Sequence, residues 1–255
     1  MRRIRVIPAL LVQNGGLVKS VKFRDHKYVG DPINAVKIFN EKEVDELVIL
    51  DISATLEERG PNMTQIKGLA SEAFMPMGYG GGITKLEEIN ELIAAGIEKV
   101  IINMSAFKNP GLVSEAARYV GSQSIVVSMD VRKNFWGKYK VYVRNGSKNT
   151  NLDPVQFAKQ MVSEGAGELL LTSIDKDGTY SGYDLELIKI VSEAVAVPVV
   201  AMGGADQLSD FVKAVNAGAS AVSAASMFVF QRPHRAVLIS YPTQDELNKH
   251  VFALI

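Results

Sequence analysis

Four aspartates stand where this chain could do acid–base chemistry: Asp51, Asp130, Asp175 and Asp177, each at or just beyond the end of a short apolar run. A carboxyl group at the end of such a run is partly withdrawn from water, which raises its pKa toward the range useful for proton transfer. Asp130, closing Ser124 to Met129, is the first candidate for a general acid or base. Its plainer reading is a strand-end acid paired with Arg132 or Lys133. Aligning Val6 to Val12 with Ile125 to Val131 sets Leu11 opposite Asp130, so a mechanism that needs two facing acids lacks one. In the segment Ser173 to Thr179, one of Asp175 and Asp177 can form the Asp-Gly turn, and the other can hold substrate hydroxyls. His26, His234 and His250 show no ligand spacing and the chain has no cysteine, which argues against zinc chemistry and hydrolytic triads; no metal and no cofactor are expected.

Two glycine-rich turns, Gly80-Gly81-Gly82-Ile83 and Gly203-Gly204-Ala205, each open a helix, where backbone N–H groups and the helix dipole favour an anion. Phosphate is the natural ligand, with Asn103-Met104-Ser105 and Ala224-Ala225-Ser226 as companions. The competing reading is that the glycines only permit tight turns. A second constellation has no catalytic look. Arg5, Glu46, Lys99 and Glu168 all fall at the starts of apolar runs, where two cations and two anions could close a ring of ion pairs. Such a ring either stabilises that end of the fold or acts as a gate that parts for a small neutral molecule.

The elements that position these groups alternate. Apolar runs recur at Arg5 to Val12, Glu46 to Asp51, Pro76 to Gly80, Lys99 to Asn103, Ser124 to Asp130, Glu168 to Ser173, Pro198 to Met202 and Ala221 to Ala224. They are apolar throughout, as parallel strands buried on both faces are. Helix starts lie between them at Asp31-Pro32, Thr84 with Glu87, Asp153-Pro154, Asp184 and Asp206. Eight such units in 255 residues predict an α/β fold, one closed (β/α)8 barrel spanning residues 1–255 as one domain. A shift of 122 residues lays Gly81-Gly82 on Gly203-Gly204, Ala95-Gly96 on Ala217-Gly218 and Val100 on Val222, so the barrel reads as two duplicated half-barrels. Asn134 to Gly146, with Trp136, reads as a β-hairpin inserted after strand five. The basic cluster Lys19, Lys22, Arg24 and Lys27 falls in a long loop after strand one.

Composition narrows the partners. Twenty-eight Lys plus Arg balance twenty-eight Asp plus Glu, which leaves no global footprint for nucleic acid or an anionic membrane. The amino-terminal Met1-Arg2-Arg3 precedes an apolar run that is too short for a signal segment and carries Pro8, so it reads as a buried strand. No uninterrupted apolar stretch is long enough to span a membrane, and the lack of cysteine fits a reducing, cytoplasmic compartment.

The segments Val44 to Ile52, Gly80 to Ile83, Gly121-Ser122-Gln123 and Leu171 to Thr179 resemble the cyclase subunit of imidazole glycerol phosphate synthase, over about Arg5 to Phe230. The resemblance implies a TIM barrel that docks a glutaminase subunit on its bottom face. It also implies that ammonia passes up through the barrel and is used at the top on a bis-phosphorylated substrate. On this resemblance Arg5, Glu46, Lys99 and Glu168 match the ammonia gate, Glu98 and Gln123 the glutaminase contact, Lys19 the mobile first-loop lysine and Asp130 the second catalytic acid. Gly81, Gly82 and Asn103 match the first phosphate position, and Asp177, Gly178, Gly203, Gly204, Ala225 and Ser226 the second. The departures are Leu11 in place of the strand-one acid, and Met104 and Tyr79 at the first phosphate position. Gly15 to Lys19, Lys27 to Ala35 and above all His234 to Pro242 look like a paralogous branch found in surface-polysaccharide and nonulosonic-acid gene clusters. That branch implies ammonia supplied to a separate sugar amidotransferase, which converts an N-acetyl sugar to an acetamidino sugar.

Overall fold

Val-, Ile- and Leu-rich runs bury both of their faces most completely when each strand is flanked by two others and covered by helices, and here they close on themselves. The computed structural model describes residues 3–231, 234 and 236–255, so Met1 and Arg2 of the amino-terminal segment and Arg235 of the His234–Pro242 motif lie outside the described residues. The barrel strands are β1 (Arg5–Gln13), β4 (Leu47–Asp51), β5 (Met77–Gly80), β6 (Lys99–Ile102), β7 (Ile125–Lys133), β10 (Glu168–Ser173), β11 (Val199–Met202) and β12 (Ala221–Ala224). They pair in parallel in that order, and β12 returns to β1. Around them lie α1 (Pro32–Glu41), α2 (Met63–Glu72), α3 (Leu86–Ala94), α4 (Met104–Lys108), α5 (Gly111–Val120), α6 (Pro154–Ser163), α7 (Leu185–Ser192) and α8 (Leu208–Asn216), followed by the short α9 (Ser226–Val229) and α10 (Gln244–His250). This is the expected (β/α)8 barrel. Among the described residues no helix is long and apolar enough to cross a membrane.

The duplication is visible in the registers. Leu11 pairs with Leu50 between β1 and β4, and Asp130 pairs with Thr172 between β7 and β10. Leu11 and Asp130 are therefore equivalent positions in the two halves. The halves also share a feature that the sequence revealed only once. Beyond β7 the chain folds back as β8 (Tyr139–Val143) and β9 (Lys148–Asn149), with β7 itself, out to Lys133, forming the hairpin's first strand. Beyond β1 it folds back as β2 (Gly16–Val21) and β3 (Arg24–Gly30), so the expected long loop is a meander. Its first turn is Asn14-Gly15, both at positive φ (51° and 80°), as a two-residue hairpin turn requires.

Two expected caps move by one residue. Asp31, Asp153 and Asp184 cap α1, α6 and α7 through their carboxylates. For α3 the cap position is Lys85 and the reciprocal acid is Glu88, which accepts from the backbone N–H of Thr84 and Lys85. For α8 the cap is Gln207, and Asp210 accepts from the N–H of Asp206 and Gln207. In both, the acid one turn into the helix supplies the cap that the residue before it was expected to supply. The carboxyl-terminal segment packs on the barrel: buried Tyr241 lies against Phe228, ring centroids 5.2 Å apart, and donates to the Val6 carbonyl at 2.8 Å. Before it, β13 (Phe230–Gln231) and β14 (Ala236–Val237) pair antiparallel.

Candidate active site and charged ring

Strand-end residues converge at the carboxyl-terminal mouth of the barrel, around a cavity of about 610 Å³. Leu11, Asp51, Gly81, Gly82, Asn103, Asp130, Thr172 and Asp177 all line it. Asp130 is buried, and neither Arg132 nor Lys133 pairs with it: Arg132 faces Asp175 at 3.7 Å and Lys133 faces Glu186 at 3.1 Å. Its partner is Asn103, whose side-chain amide donates to it at 3.1 Å and to the Ser128 carbonyl at 3.0 Å. Burial raises the Asp130 carboxyl to about 7, assisted by the charge of Asp177 and opposed by the hydrogen bonds from Asn103 and Thr172. With that pKa the group can donate a proton as the carboxyl or take one as the carboxylate near neutrality.

Lys19 lies on β2 as a buried residue, where a mobile loop lysine was expected. Its ammonium donates to the Ala9 carbonyl at 2.6 Å, and burial lowers its pKa to about 7 against the opposing charge of Asp177. Asp177 is itself raised by burial, held back by Lys19 and by the Ser20 hydroxyl, which donates to it at 3.3 Å. Asp175, the other acid of that loop, accepts from the Lys133 N–H at 3.0 Å and faces solvent. Of the expected pair, Asp177 is the one at the site.

Asp51 is committed elsewhere. One carboxylate oxygen accepts from the N–H of Ser53 and of Ala54 and from the Ser53 hydroxyl, at 3.0, 3.1 and 2.9 Å; the other is paired with Arg59 at 2.9 Å. Arg59 is a cavity residue that the sequence reading missed, because only the folded loop brings it back onto Asp51. His26, which shows no ligand spacing in the sequence, sits on β3 and lines the cavity. Lys85, Lys108 and Arg144 add cations to the cavity lining.

The glycine turns are shaped first by their neighbours. A Cβ on Gly82 would stand 2.4 Å from the Arg59 carbonyl, and one on Gly204 would stand 2.2 Å from the Gly182 carbonyl. Asp177, Gly178, Gly203, Gly204, Ala225 and Ser226 share a cleft of only about 10 Å³ beside the main cavity. On the first-phosphate side, the Ser105 hydroxyl donates to the Ile83 carbonyl at 2.5 Å and the half-buried Met104 lines the cavity.

At the opposite mouth the four charges meet as a closed ring. Arg5 bridges Glu46 and Glu168, and the Lys99 ammonium bridges the same two carboxylates at 3.0 and 2.9 Å. Both glutamates are buried; the cations keep a partial view of solvent. Exposed Glu98 adjoins the ring, and exposed Gln123 lies in the turn before β7 on the same face. Two large aromatics are bare there too: Phe74, in the turn leading into β5, and Tyr119, near the end of α5. Among the described residues no group of three or more His, Asp or Glu side chains is placed to hold a metal ion.

The family described as histidine biosynthesis protein matches residues 5–233. A Pseudomonas aeruginosa protein, provisionally named imidazole glycerol phosphate synthase subunit hisF2, is 47% identical over 249 residues, 97% of this chain and 99% of its own. A Leptospira interrogans protein, provisionally named subunit HisF of the same synthase, is 46% identical over 248 residues, 96% of this chain and 98% of its own. The imidazole glycerol phosphate synthase subunit HisF of Hydrogenobaculum is 45% identical over 248 residues, 97% of this chain and 98% of its own.

Proposed function

Because the chain belongs to the histidine biosynthesis protein family, among relatives named as imidazole glycerol phosphate synthase subunit HisF, we propose that it docks a glutaminase on the face carrying the charged ring and conducts ammonia through the barrel. The ammonia is delivered at the upper mouth to a separate amidotransferase that makes an acetamidino sugar for surface polysaccharide or nonulosonic acid. The observation that carries this reading is an intact ring at one end combined with a missing acid at the other. Arg5, Glu46, Lys99 and Glu168 close on one another, whereas Leu11 stands at the position equivalent to Asp130. A ring that opens for a small neutral molecule keeps its use when cyclisation chemistry is lost; a two-acid site does not. The exposed Glu98, Gln123, Phe74 and Tyr119 supply the mixture of charge and large aromatic surface that protein interfaces use. The sugar acceptor is suggested by the His234–Pro242 segment, and the compartment in which this supply takes place is the cytoplasm.

A second reading, a working cyclase of histidine biosynthesis, is favoured by one observation. Asp51, Asp130 and Asp177 still line a cavity of about 610 Å³, large enough for a phosphorylated small molecule, with Lys85, Lys108 and Arg144 also in its lining. The two readings separate when the purified chain is given ammonium and the bis-phosphorylated cyclase substrate, which removes the need for a glutaminase. The conduit reading expects a silent wild type and a gain of turnover in Leu11→Asp. Wild-type turnover at an ordinary enzymatic rate, ~1 per second or more, would sink it and leave a cyclase with an unconventional acid.

A further inference from the structure

Above the charged ring the bore is apolar: Ile7, Val48, Ile101, Val126, Leu170 and Val200 form one interior cluster. Ser223 breaks it. Its register partners are Ile7 on β1 and Met202 on β11, both members of that cluster, and residues in register on parallel neighbours share a face, so the Ser223 side chain points inward. The residue is fully buried, and among the described residues its hydroxyl has no hydrogen-bond partner. Its backbone carbonyl is already taken by the Tyr183 hydroxyl at 2.8 Å.

The position has a defined level. The 122-residue repeat lays Ser223 on Ile101, which is the first inward residue above Lys99 of the ring. One step below, Gly78 brings no side chain to the bore, although a Cβ there would already meet Ile101 and Val48 at 3.3 Å. The next hydroxyls toward the mouth are those of Ser128 and Thr172, at the floor of the large cavity beside Asp130. An orphan buried hydroxyl destabilises a fold, and an alanine, the residue found on the same strand at 221 and 224, would fill nearly the same space without that cost.

We infer that Ser223 is a hydrogen-bonding station for neutral ammonia in the bore, midway between the charged ring and the Ser128, Thr172 and Asp130 group. A hydroxyl suits this ligand because it accepts from an N–H and donates to the nitrogen lone pair, while offering no charge that would hold ammonium in place. The inference rests on the conduit reading.

The test uses hydroxylamine, an ammonia surrogate that is neutral in mildly alkaline buffer and whose elongated density distinguishes it from water. Crystals of the full chain soaked in it are expected to show the molecule within hydrogen-bond distance of Ser223 Oγ, in wild type and in Ser223→Thr, and to lose it in Ser223→Ala. Absence from wild-type crystals, or equal occupancy in Ser223→Ala, overturns the assignment. With the glutaminase bound, Ser223→Ala is expected to lower delivery of glutamine amide nitrogen to the acceptor roughly tenfold relative to delivery of external ammonium. Equal delivery by the two routes also overturns it. A Gly78→Leu plug judges the conduit separately. If the plug leaves glutamine-fed delivery intact, the conduit reading falls and the station with it; if the plug stops delivery while hydroxylamine ignores Ser223, the station alone falls.

Discussion

Asp130 and Lys19 are buried groups whose charged forms are disfavoured by the same loss of water, and they respond to pH in opposite directions. Asp130 has a carboxyl raised from 3.8 to about 7, so the folded chain binds the proton more tightly than the unfolded one. Its contribution to stability is full below the ordinary carboxylate value, declines as pH rises across that window and is gone above about 7. Lys19, lowered from 10.5 to about 7, contributes fully above the ordinary amine value and loses that contribution as pH falls to about 7. Together they predict a local minimum of stability near neutrality. Asp130→Asn keeps the shape of the side chain and removes the titration. It should leave unfolding free energy nearly unchanged near the ordinary carboxylate value and raise it by roughly 2–4 kcal/mol in alkaline solution. Urea unfolding of both proteins at the two pH values checks this, and a difference that does not grow with pH would mean that Asp130 is not titrating in the folded state. Leu11 belongs to the same argument: an aliphatic group at the equivalent position adds no second charge, so Leu11→Asp should push the Asp130 carboxyl further up, by like-charge repulsion, in a pH titration of the site.

Turns set the geometry that elements can hold, and the glycines separate two kinds of loop. Gly204 has φ of +106° and a Cβ there would stand 2.2 Å from the Gly182 carbonyl, so Gly204→Ala should cost about 2–4 kcal/mol, through clash and strain together. Gly68, in the interior of α2, has nothing within 4 Å of a Cβ, so Gly68→Ala should stabilise by about 0.5–1 kcal/mol. Thermal melts of the two variants check both signs, and a neutral Gly204→Ala would show that the loop can rearrange. The same contrast explains how much was legible in the sequence. The eight barrel strands were, because each is a mostly apolar run without strict alternation, and so were the Asp31, Asp153 and Asp184 caps, because the carboxylate that bonds the helix is in the cap residue itself. The Lys85 and Gln207 caps were not, since there the bonding acid sits inside the helix. The meander after β1 was hidden because β3, Arg24–Gly30, is exposed along most of its length and has no apolar face to read. Asn14-Gly15 was its one local signal, and the repeat its one global signal. Arg59 at the site and the orphan Ser223 in the bore depend on side chains meeting, or failing to meet, across the closed sheet, which spacing does not encode.

On the scale of the whole molecule the barrel is polar at both mouths and apolar between them. The lower mouth is the place where the sheet would otherwise leave two buried carboxylates facing each other. Glu46 and Glu168 come from equivalent strands of the two halves, so the duplication alone would create like-charge repulsion; Arg5 and Lys99, which are not equivalents of each other, cancel it from opposite sides. The four side chains are therefore one network, and their energies should not add. Lys99→Met leaves both glutamates short of a cation and should cost about 2–4 kcal/mol, and Glu168→Gln alone should cost about 1–3 kcal/mol. The double variant keeps one cation for one remaining carboxylate, Arg5 with Glu46, and should cost less than the two single losses combined by about 1–3 kcal/mol. Urea unfolding of the four proteins measures that difference. Simple additivity would mean that the partly wetted Lys99–Glu168 pair carries little weight. A large coupling would mean that Lys99 and Glu168 hold each other closed across the lower mouth, which a gate on a conduit requires and a merely solubilising set of charges does not.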